Sequence, residues 1–350
     1  MSKLRVLSLF SGIGAFEKGL INLGIDYELV NFCEFDKYAS KSYSLIYDVP
    51  EAKNLGDINM VDETQIEDFD LMTYGFPCQS FSAAGLKLGF KDKNKGNLFF
   101  ESMRIVKHKK PKFMIAENVR GLLSNDKGNT IKTILNTLEM LGYNNYYQIL
   151  NSVNFDIPQS RERVFIVSIR KDIDTGKFEF PTGQRTMKVV AEFIDEDNEN
   201  RYLKKSLQPY LDPKYHREYS SNSGVKKVFD GNVQGYFNSD YSGKRMYSIY
   251  GVCPTLTTKK EAACFVEIRS ELNSKERFRL QGFDDEDYYK VKGKVPEAQL
   301  KKQTGNSITV NVIQQILKNI LIDALSLIAK KETRINANQN PGIDTQNSEP

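Results

Sequence analysis

The chain has 350 residues, of which 40% are hydrophobic and 27% are charged, and its formal net charge is +4. This composition is typical of a soluble globular protein long enough for two domains, and no apolar run is long enough to span a membrane. The four cysteines are far apart, form no Cys-x-x-Cys pair and accompany only two histidines, which argues against a disulfide framework or a metal site and indicates a reducing, cytoplasmic location.

The N-terminal residues predict a strand, a glycine turn, a helix and a second strand that ends in an acidic residue. Residues 4–9 are the first strand, the turn contains Gly12 and Gly14, and the second strand ends at Glu34. This order is typical of a nucleoside-binding sheet, in which the glycines let the backbone approach the ligand and the acid binds the ribose hydroxyls. The third glycine of the dinucleotide pattern is missing. Its absence favours S-adenosylmethionine over a nicotinamide dinucleotide, because only the latter places a pyrophosphate at the helix N-terminus.

A short hydrophobic strand, residues 70–74, ends in the turn Gly75-Phe76-Pro77, and Cys78 follows. A cysteine on a stiff turn at the carboxyl edge of an α/β sheet is placed as a nucleophile would be, because such folds keep their chemistry there. A buried structural cysteine is the commoner role for a single Cys, but turn formers rather than core formers flank this one. The charged run of residues 85–96 is then either a mobile lid or a plain surface loop.

Strands and helices continue to alternate over the next hundred residues. Residues 112–116 predict a strand that delivers Glu117 to the sheet edge, and residues 130–141 predict a helix. Two more strands follow at residues 146–153 and 163–170. This alternation predicts a doubly wound α/β sheet.

From about Thr182 the periodicity weakens and a basic excess appears. Residues 201–250 hold nine Lys and Arg against four Asp and Glu, a net charge of +5, together with eight of the 18 tyrosines. Basic residues interleaved with aromatics are typical of a nucleic-acid surface, although a solvated loop region has the same composition. A helix with buried apolar positions from Ile313 onward follows, and the polar tail 332–350 is predicted to be disordered.

Taken together, these segments resemble the DNA (cytosine-5)-methyltransferases, in family order from about Leu4 to Ile320. The matching motifs are Phe10-Ser11-Gly12-Ile13-Gly14, Gly75-Phe76-Pro77-Cys78-Gln79-Ser80-Phe81-Ser82, Glu117-Asn118-Val119, Gln159-Ser160-Arg161-Glu162-Arg163, Pro254-Thr255-Leu256-Thr257 and Gly305-Asn306-Ser307. The resemblance implies a Rossmann-like, S-adenosylmethionine-dependent methyltransferase fold. Its catalytic and cofactor-binding domain would cover residues 1–181, completed by 303–331, and its smaller target-recognition domain would cover 182–302.

The resemblance also implies a chemical role for each motif. Cys78 would add to carbon 6 of a cytosine flipped out of double-stranded DNA, so that carbon 5 attacks the methyl group of S-adenosylmethionine. Glu117 would hold the ring nitrogen 3 and the exocyclic amine as a protonated general acid. Arg163 would lie near the cytosine carbonyl oxygen, with Arg161 as a neighbouring site arginine. Either arginine would alternatively contact only phosphate.

A cofactor pocket is implied by the same resemblance. Its residues are Phe10, Gly12 and Gly14 around the methionine and adenosine, Glu34 at the ribose, Asp57 and Ile58 at the adenine, and Phe35, Gly75, Pro77, Leu98, Asn306 and Ser307 around the rest. Two of these have plain structural alternatives. Asp57 would simply cap a helix, and Phe35 would be a core aromatic, because stacking on adenine and packing in a core demand the same side chain.

Target choice is expected in residues 182–244 and in the loop 258–263, where Lys259 and Lys260 would meet phosphate, guanine or only solvent. Ala84 stands where some relatives carry a polar residue that fills the gap left by the flipped base. The implied role is the modification enzyme of a restriction–modification system, acting as a monomer beside a separately encoded restriction endonuclease.

Three alternatives belong to other classes. A transfer-RNA cytosine methyltransferase of the same fold is disfavoured by the long variable region. A non-catalytic DNA-binding regulator is disfavoured by the intact set of Cys78, Glu117 and Arg163. A nicotinamide oxidoreductase is supported only by the glycine turn and Glu34.

Overall fold

The computed structural model describes residues 3–77, 98–195, 211–216, 224–230, 245–258 and 263–321. Several sequence predictions fall outside these ranges. They are Cys78 and the rest of the 78–97 segment with Ala84, the recognition-loop lysines Lys259 and Lys260, and the tail 332–350.

A six-stranded sheet forms the centre of the molecule. Its region of the chain contains β1 (Leu4–Leu9), β2 (Tyr27–Cys33), β3 (Leu71–Tyr74), β4 (Phe113–Val119), β5 (Tyr143–Asn151), the short β6 (Gln159–Ser160) and β7 (Glu162–Arg170). The strand order is β2-β1-β3-β4-β7-β5. The first four strands of that order are parallel, whereas β7 runs antiparallel to both β4 and β5.

Helices cover both faces of this sheet. They are α1 (Ala15–Asn22), α2 (Lys37–Tyr47), α3 (Leu98–Lys109), α4 (Asn129–Met140), α5 (Ser274–Arg279), α6 (Asp285–Val291), α7 (Glu297–Asn306) and α8 (residues 310–321). Adjacent residues of β1 point to opposite faces, as the strand pleat requires. Leu7 packs with Met103 of α3 and Ile134 of α4, whereas Val6 packs with Leu20 of α1 and Ile316 of α8. The predicted doubly wound α/β sheet is therefore confirmed.

Local sequence signals set the helix boundaries near the cofactor motifs. Gly14 precedes α1 with φ +80°, and Gly24 follows it with φ +68°, conformations that favour glycine. Asp36 caps α2 by accepting hydrogen bonds from the backbone N–H groups of Tyr38 (2.9 Å) and Ala39 (3.2 Å). These boundaries place the turn before α1 and the turn before α2 at the same edge of the sheet.

A second, four-stranded sheet lies in the region predicted as the target-recognition domain. It consists of β8 (Lys227–Asp230), β9 (Arg245–Tyr247), β11 (Cys264–Phe265) and β12 (Ser270–Glu271), in the order β12-β11-β9-β8. The remaining strand, β10 (Cys253–Pro254), pairs in parallel with β6. The β6–β10 pair thus joins the Gln159-Ser160 motif to the segment that holds Pro254.

Helices α5, α6 and α7 pack against the first part of the chain. Phe278, Phe283 and Leu300 share a core with Ile13 and Ile46. In addition, the buried Lys18 of α1 pairs with Asp284 (2.6 Å) and Asp287 (2.8 Å) at the start of α6. None of the helices in the described ranges has both the length and the apolar character needed to cross a membrane.

Candidate active site

The carboxyl ends of β3 and β4 place two of the predicted site motifs side by side. Tyr74 of β3 lies opposite Ala116 of β4 in the parallel register. Gly75 therefore follows β3 beside Glu117, and a Cβ built on Gly75 would lie 3.8 Å from Oε2 of Glu117. The turn that leads to Cys78 starts next to the predicted general acid.

The Gly75-Phe76-Pro77 turn is anchored before it leaves the described range. The side-chain amide of buried Asn118 donates a 2.8 Å hydrogen bond to the carbonyl of Phe76. The ring of Phe76 is also buried, 5.8 Å from the ring of Tyr74 and 5.3 Å from that of Phe99. The backbone is therefore fixed two residues before Cys78 in the sequence. Asn118 is a positioning residue whose contact the sequence did not reveal.

Glu117 and Arg163 form an ion pair at this edge. Nε of Arg163 lies 2.9 Å from Oε1 of Glu117, and the two side chains are only 16% and 12% exposed. Burial raises the pKa of the Glu117 carboxyl, and the nearby positive charges of Arg163 and Arg161 only partly oppose it. A carboxyl whose pKa is raised in this way can hold a proton and donate it to a proton acceptor placed beside it.

Arg161 is buried near this pair, and its positive charge acts on the Glu117 carboxyl. Its buried guanidinium donates to three backbone carbonyls, those of Leu256 (3.0 Å), Gly305 (3.0 Å) and Ser307 (2.6 Å). Burial lowers the pKa of Arg161 to about 9. Contact with a phosphate does not fit a guanidinium enclosed in this way, and its bonds are those of a positioning residue rather than a catalytic one. Arg163, in contrast, faces Glu117.

The glycine turn and Glu34 also come together. The backbone N–H of Gly12 donates to Oε2 of Glu34, and that of Asp36 donates to Oε1, both at 2.8 Å. Burial raises the pKa of the Glu34 carboxyl. A Cβ on Gly14 would lie 2.2 Å from Cε2 of the Tyr47 ring, so this position requires glycine for space as well as for its φ of +80°.

The other predicted cofactor residues divide into exposed and buried groups. Phe35 is 81% exposed, so the core-aromatic alternative for it is wrong. Asp57 does cap a short 3-10 helix, because its Oδ1 accepts from the backbone N–H of Asn59 at 3.0 Å. Ile58, the first residue of that helix, is in contrast buried in the core.

The last predicted pocket residues lie at element ends. Phe10, with φ +53°, and Leu98, the first residue of α3, are partly buried against the α3–α4 core. Asn306 ends α7 and is exposed, and Ser307 is buried. Ile308, which follows Ser307, would come within 4.0 Å of a Cβ on Gly75 and so brings this motif to the same edge.

The sequence analysis missed Arg277 of α5, whose buried guanidinium donates to the carbonyl of Thr257 at 2.7 Å. All residues of α5 from Ser274 to Phe278 are buried, so this short helix has no polar face that would set the arginine apart in the sequence.

The fold and the site define the class of protein. A parallel sheet with one reversed strand, a glycine turn after β1 and an acid after β2 belong to the Rossmann-like fold of S-adenosylmethionine-dependent methyltransferases. A family model for C-5 cytosine-specific DNA methylases matches residues 4–321. The chain belongs to this family and is a DNA (cytosine-5)-methyltransferase.

Individual relatives agree with this assignment. The chain is 33% identical to the orphan methyltransferase M.SPRI of Bacillus phage SPR, over 92% of this chain and 98% of that protein. It is also 33% identical to the type II methyltransferase M.HhaI of Haemophilus parahaemolyticus, over 91% of this chain and 95% of that protein. Among solved structures, the S. pombe Dnmt2 methyltransferase has a TM-score of 0.66 at 18% identity, covering 93% of this chain and 99% of that one, and shares the fold.

Proposed function

We propose that this enzyme transfers a methyl group from S-adenosylmethionine to carbon 5 of a cytosine flipped out of a specific duplex DNA sequence, through a covalent bond between Cys78 and carbon 6. The observation that carries the proposal is the Glu117–Arg163 pair, with an Nε–Oε1 distance of 2.9 Å, beside the turn that leads to Cys78. The pair provides a proton donor, Glu117, and a cation, Arg163, which would both contact one cytosine ring next to the predicted nucleophile, Cys78.

The residues at the β1 and β2 ends fit the proposed cofactor. Gly12 and Gly14 hold a backbone that a Cβ at residue 14 would disrupt, and Glu34 is a carboxylate already fixed to that turn. Phe35 offers an exposed aromatic face next to Glu34, which suits stacking on a purine. When bound there, S-adenosylmethionine supplies the electrophilic methyl group.

The other cysteines support Cys78 as the nucleophile. Cys33, Cys253 and Cys264 are all buried, and burial raises the pKa of Cys33 and of Cys253 to about 12. A thiol with so high a pKa is scarcely ionised at neutral pH, and the thiolate is the reactive form. Cys78 comes directly after the anchored Gly75-Phe76-Pro77 turn in the sequence.

The reaction is proposed to begin with addition of the Cys78 thiolate to carbon 6. Glu117 gives its proton to ring nitrogen 3, so the ring becomes an enamine whose carbon 5 is nucleophilic. Carbon 5 would then form a bond to the methyl group as the bond between that methyl group and the sulfonium sulfur breaks, which would leave S-adenosylhomocysteine. A base, proposed to be water, removes the carbon 5 proton, the carbon–sulfur bond breaks, and the thiolate is restored. Glu117 recovers its proton from nitrogen 3.

The two arginines have separate proposed roles. Arg163 holds one oxygen of Glu117 and lies where the cytosine carbonyl oxygen would face a cation. Arg161 acts indirectly, because both of its terminal nitrogens donate to carbonyls of the segments around residues 256 and 305–307. The cytosine must leave the helix to reach this edge, since none of these atoms can approach carbon 6 within a stacked pair.

We also propose a division of the chain. The catalytic and cofactor-binding domain comprises residues 1–181 and the C-terminal helices, and the region with the four-stranded sheet selects the target. The packing of α5–α7 on Ile13 and Ile46 supports placing residues 274–302 with the catalytic domain rather than with residues 182–273. The protein is proposed to act as a monomer in the cytoplasm, as the modification partner of a restriction endonuclease.

Two experiments test the proposal. First, plasmid DNA from cells that express the protein is mapped for 5-methylcytosine, with the Cys78→Ser variant as control. We expect one methylated sequence with the wild type and none with the variant, while the variant retains its affinity for S-adenosylmethionine. An unmethylated plasmid from cells that make cofactor-binding protein would contradict the proposed activity.

Second, a duplex with 5-fluorocytosine at the mapped position is incubated with enzyme and cofactor, and the adduct is digested. The fluorine blocks elimination, so the DNA mass is expected on the peptide that contains Cys78. An adduct on another peptide, or none, would refute the covalent mechanism.

A further inference from the structure

Two turns assigned to different tasks touch each other through their backbones. Residues 256–258 lead into the predicted recognition loop, and residues 305–307 belong to the predicted cofactor pocket. A Cβ built on Gly305 would lie 2.5 Å from the carbonyl carbon and oxygen of Thr257 and 2.7 Å from the nitrogen of Thr258. Such an approach is open only to glycine.

Arg161 binds both turns at once. Its Nη1 donates to the carbonyl of Leu256 on one turn, and its Nη2 donates to the carbonyls of Gly305 and Ser307 on the other. Charge-assisted hydrogen bonds of this kind are stronger than those between neutral groups. The cofactor-side turn and the recognition-side segment are therefore held in one arrangement.

Arg277 forms a second link between the same segments. Its Nη2 donates to the carbonyl of Thr257 at 2.7 Å and to that of Lys301 at 2.8 Å, and its Nε donates to Oγ1 of Thr304 at 2.9 Å. The side chain is only 2% exposed. Lys301 and Thr304 lie in α7, which ends at Asn306, so Arg277 ties the recognition-side segment to the helix that carries the cofactor turn.

We propose that Arg277 is a positioning residue that couples cofactor binding at residues 305–307 to DNA binding at residues 256–258. A ligand that orders the end of α7 also orders the acceptors of Arg277, and through them Thr257. Coupling of this kind is reciprocal, so DNA bound by the recognition side strengthens cofactor binding by the same factor. This inference rests on the proposed function for the identity of the two ligands.

The guanidinium shape matters to the proposal. Arg277 reaches acceptors on two segments with donors on two different nitrogens, which the single ammonium of a lysine does not reproduce. Methionine keeps the apolar stem and much of the volume but removes every donor. Arg279, two residues away on α5, provides a matched control, because it donates to Asp285 and to the carbonyls of Phe193 and Ile194 instead.

The experiment measures a coupling factor in the full chain. It is the ratio of the dissociation constants for a duplex with the mapped methylation sequence, without and with saturating S-adenosylhomocysteine. Wild type, Arg277→Met, Arg277→Lys, Gly305→Ala and Arg279→Met are compared, each after its thermal unfolding and its cofactor affinity have been measured. The 5-methylcytosine map of plasmid DNA from cells with the wild-type protein is made first. A failure of the proposed methyltransferase function is therefore detected separately from a failure of the coupling.

We expect the wild type to show a coupling factor well above one, and Arg277→Met and Gly305→Ala to lower it about fivefold or more, within the range usual for such couplings. Arg277→Lys should fall between them and the wild type, and Arg279→Met should keep the wild-type factor. Should Arg277→Met not fold, Gly305→Ala and Arg277→Lys decide. A wild-type factor of one, an unchanged factor in the folded variants, or an equal loss in Arg279→Met would overturn the proposal.

Discussion

Nε of Arg163 lies 2.9 Å from Oε1 of Glu117, and the two residues come from neighbouring strands that run in opposite directions. Oε2 of Glu117 is turned toward Gly75 and the start of the Cys78 turn. The carboxyl thus has one oxygen fixed by a cation and the other at the site. Burial raises the pKa of the Glu117 carboxyl even though the guanidinium of Arg163 lies beside it.

This arrangement predicts a pH dependence for methyl transfer. The protonated carboxyl is the active form, and since its pKa is raised it persists to higher pH than for an ordinary glutamate. As pH rises through that pKa, Glu117 loses its proton and kcat falls. Glu117→Gln should lower kcat by about 10²–10⁴-fold and abolish this fall, because an amide has no proton to lose. The measurement is single-turnover methylation from mildly acidic to alkaline pH.

The control for this prediction is Glu162→Gln. Glu162 is a partly exposed neighbour of Arg163 that pairs with Arg120, with an Nη1–Oε2 distance of 2.6 Å. Its variant should keep the wild-type pH profile. A Glu117→Gln enzyme with the same alkaline fall as the wild type would show that another group carries the proton.

Cysteine reactivity provides a second prediction. At pH 8 a thiol of pKa about 12 is ionised to about one part in ten thousand, which applies to Cys33 and Cys253. Cys264 is fully buried. Iodoacetamide should therefore alkylate Cys78 first in the native protein, as followed by peptide mass spectrometry over time. Prior alkylation of any of the other three would count against Cys78 as the nucleophile, and denaturant should make all four react alike.

A third prediction concerns the glycine turn. Gly14→Ala would bring a methyl group to 2.2 Å from the Tyr47 ring at a φ of +80°, so we expect a loss of about 1–3 kcal/mol in stability and at least about tenfold weaker cofactor binding. Gly24→Ala is the matched control, since Gly24 also has a positive φ, +68°, but nothing within 4 Å of its Cβ position. It should lose stability by about 1 kcal/mol and bind the cofactor normally.

Calorimetric titration with S-adenosylhomocysteine and thermal unfolding separate the two effects of Gly14→Ala. If both alanine variants bind the cofactor as the wild type does, the β1 turn does not form the pocket.

Sequence periodicity predicted most strands of the central sheet because buried apolar runs mark them directly, although only Tyr143 and Leu150 are buried in β5. It did not give the direction of β7, since a strand pattern reads the same in both directions. The connection after β5 is a short excursion through β6 with no crossover helix, and that is what lets β7 return antiparallel.

The site residues likewise include some contacts that the sequence predicted and others that it did not. Glu117 and Gly75 were predictable neighbours because both lie at the carboxyl ends of predicted parallel strands. Arg161 was not predictable as a carbonyl-binding residue, because its partners at residues 256, 305 and 307 are distant in sequence and carry no side-chain signature. Arg277 is a similar case, because two of its acceptors are the backbone carbonyls of Thr257 and Lys301, which carry no side-chain signature.

The last prediction concerns Glu17, a buried acid in α1 that the proposed mechanism does not use. Neither of its carboxyl oxygens has a hydrogen-bond partner of good geometry in the described part of the chain, and burial raises its pKa although the hydroxyls of Ser8 and Tyr43 lie near enough to oppose the shift. The folded state therefore holds a proton that the unfolded state releases more readily. Stability from this group is complete below the unfolded pKa and is lost as pH rises through the folded pKa.

Glu17→Gln has no proton to lose, so its unfolding free energy should fall less steeply with rising pH than that of the wild type. Glu139→Gln, which changes an exposed acid on α4, should retain the wild-type slope. Urea unfolding at a series of pH values measures both. Parallel pH profiles for wild type and Glu17→Gln would mean that Glu17 is charged in the folded protein, and its burial in α1 would then need a cation that pairs with it.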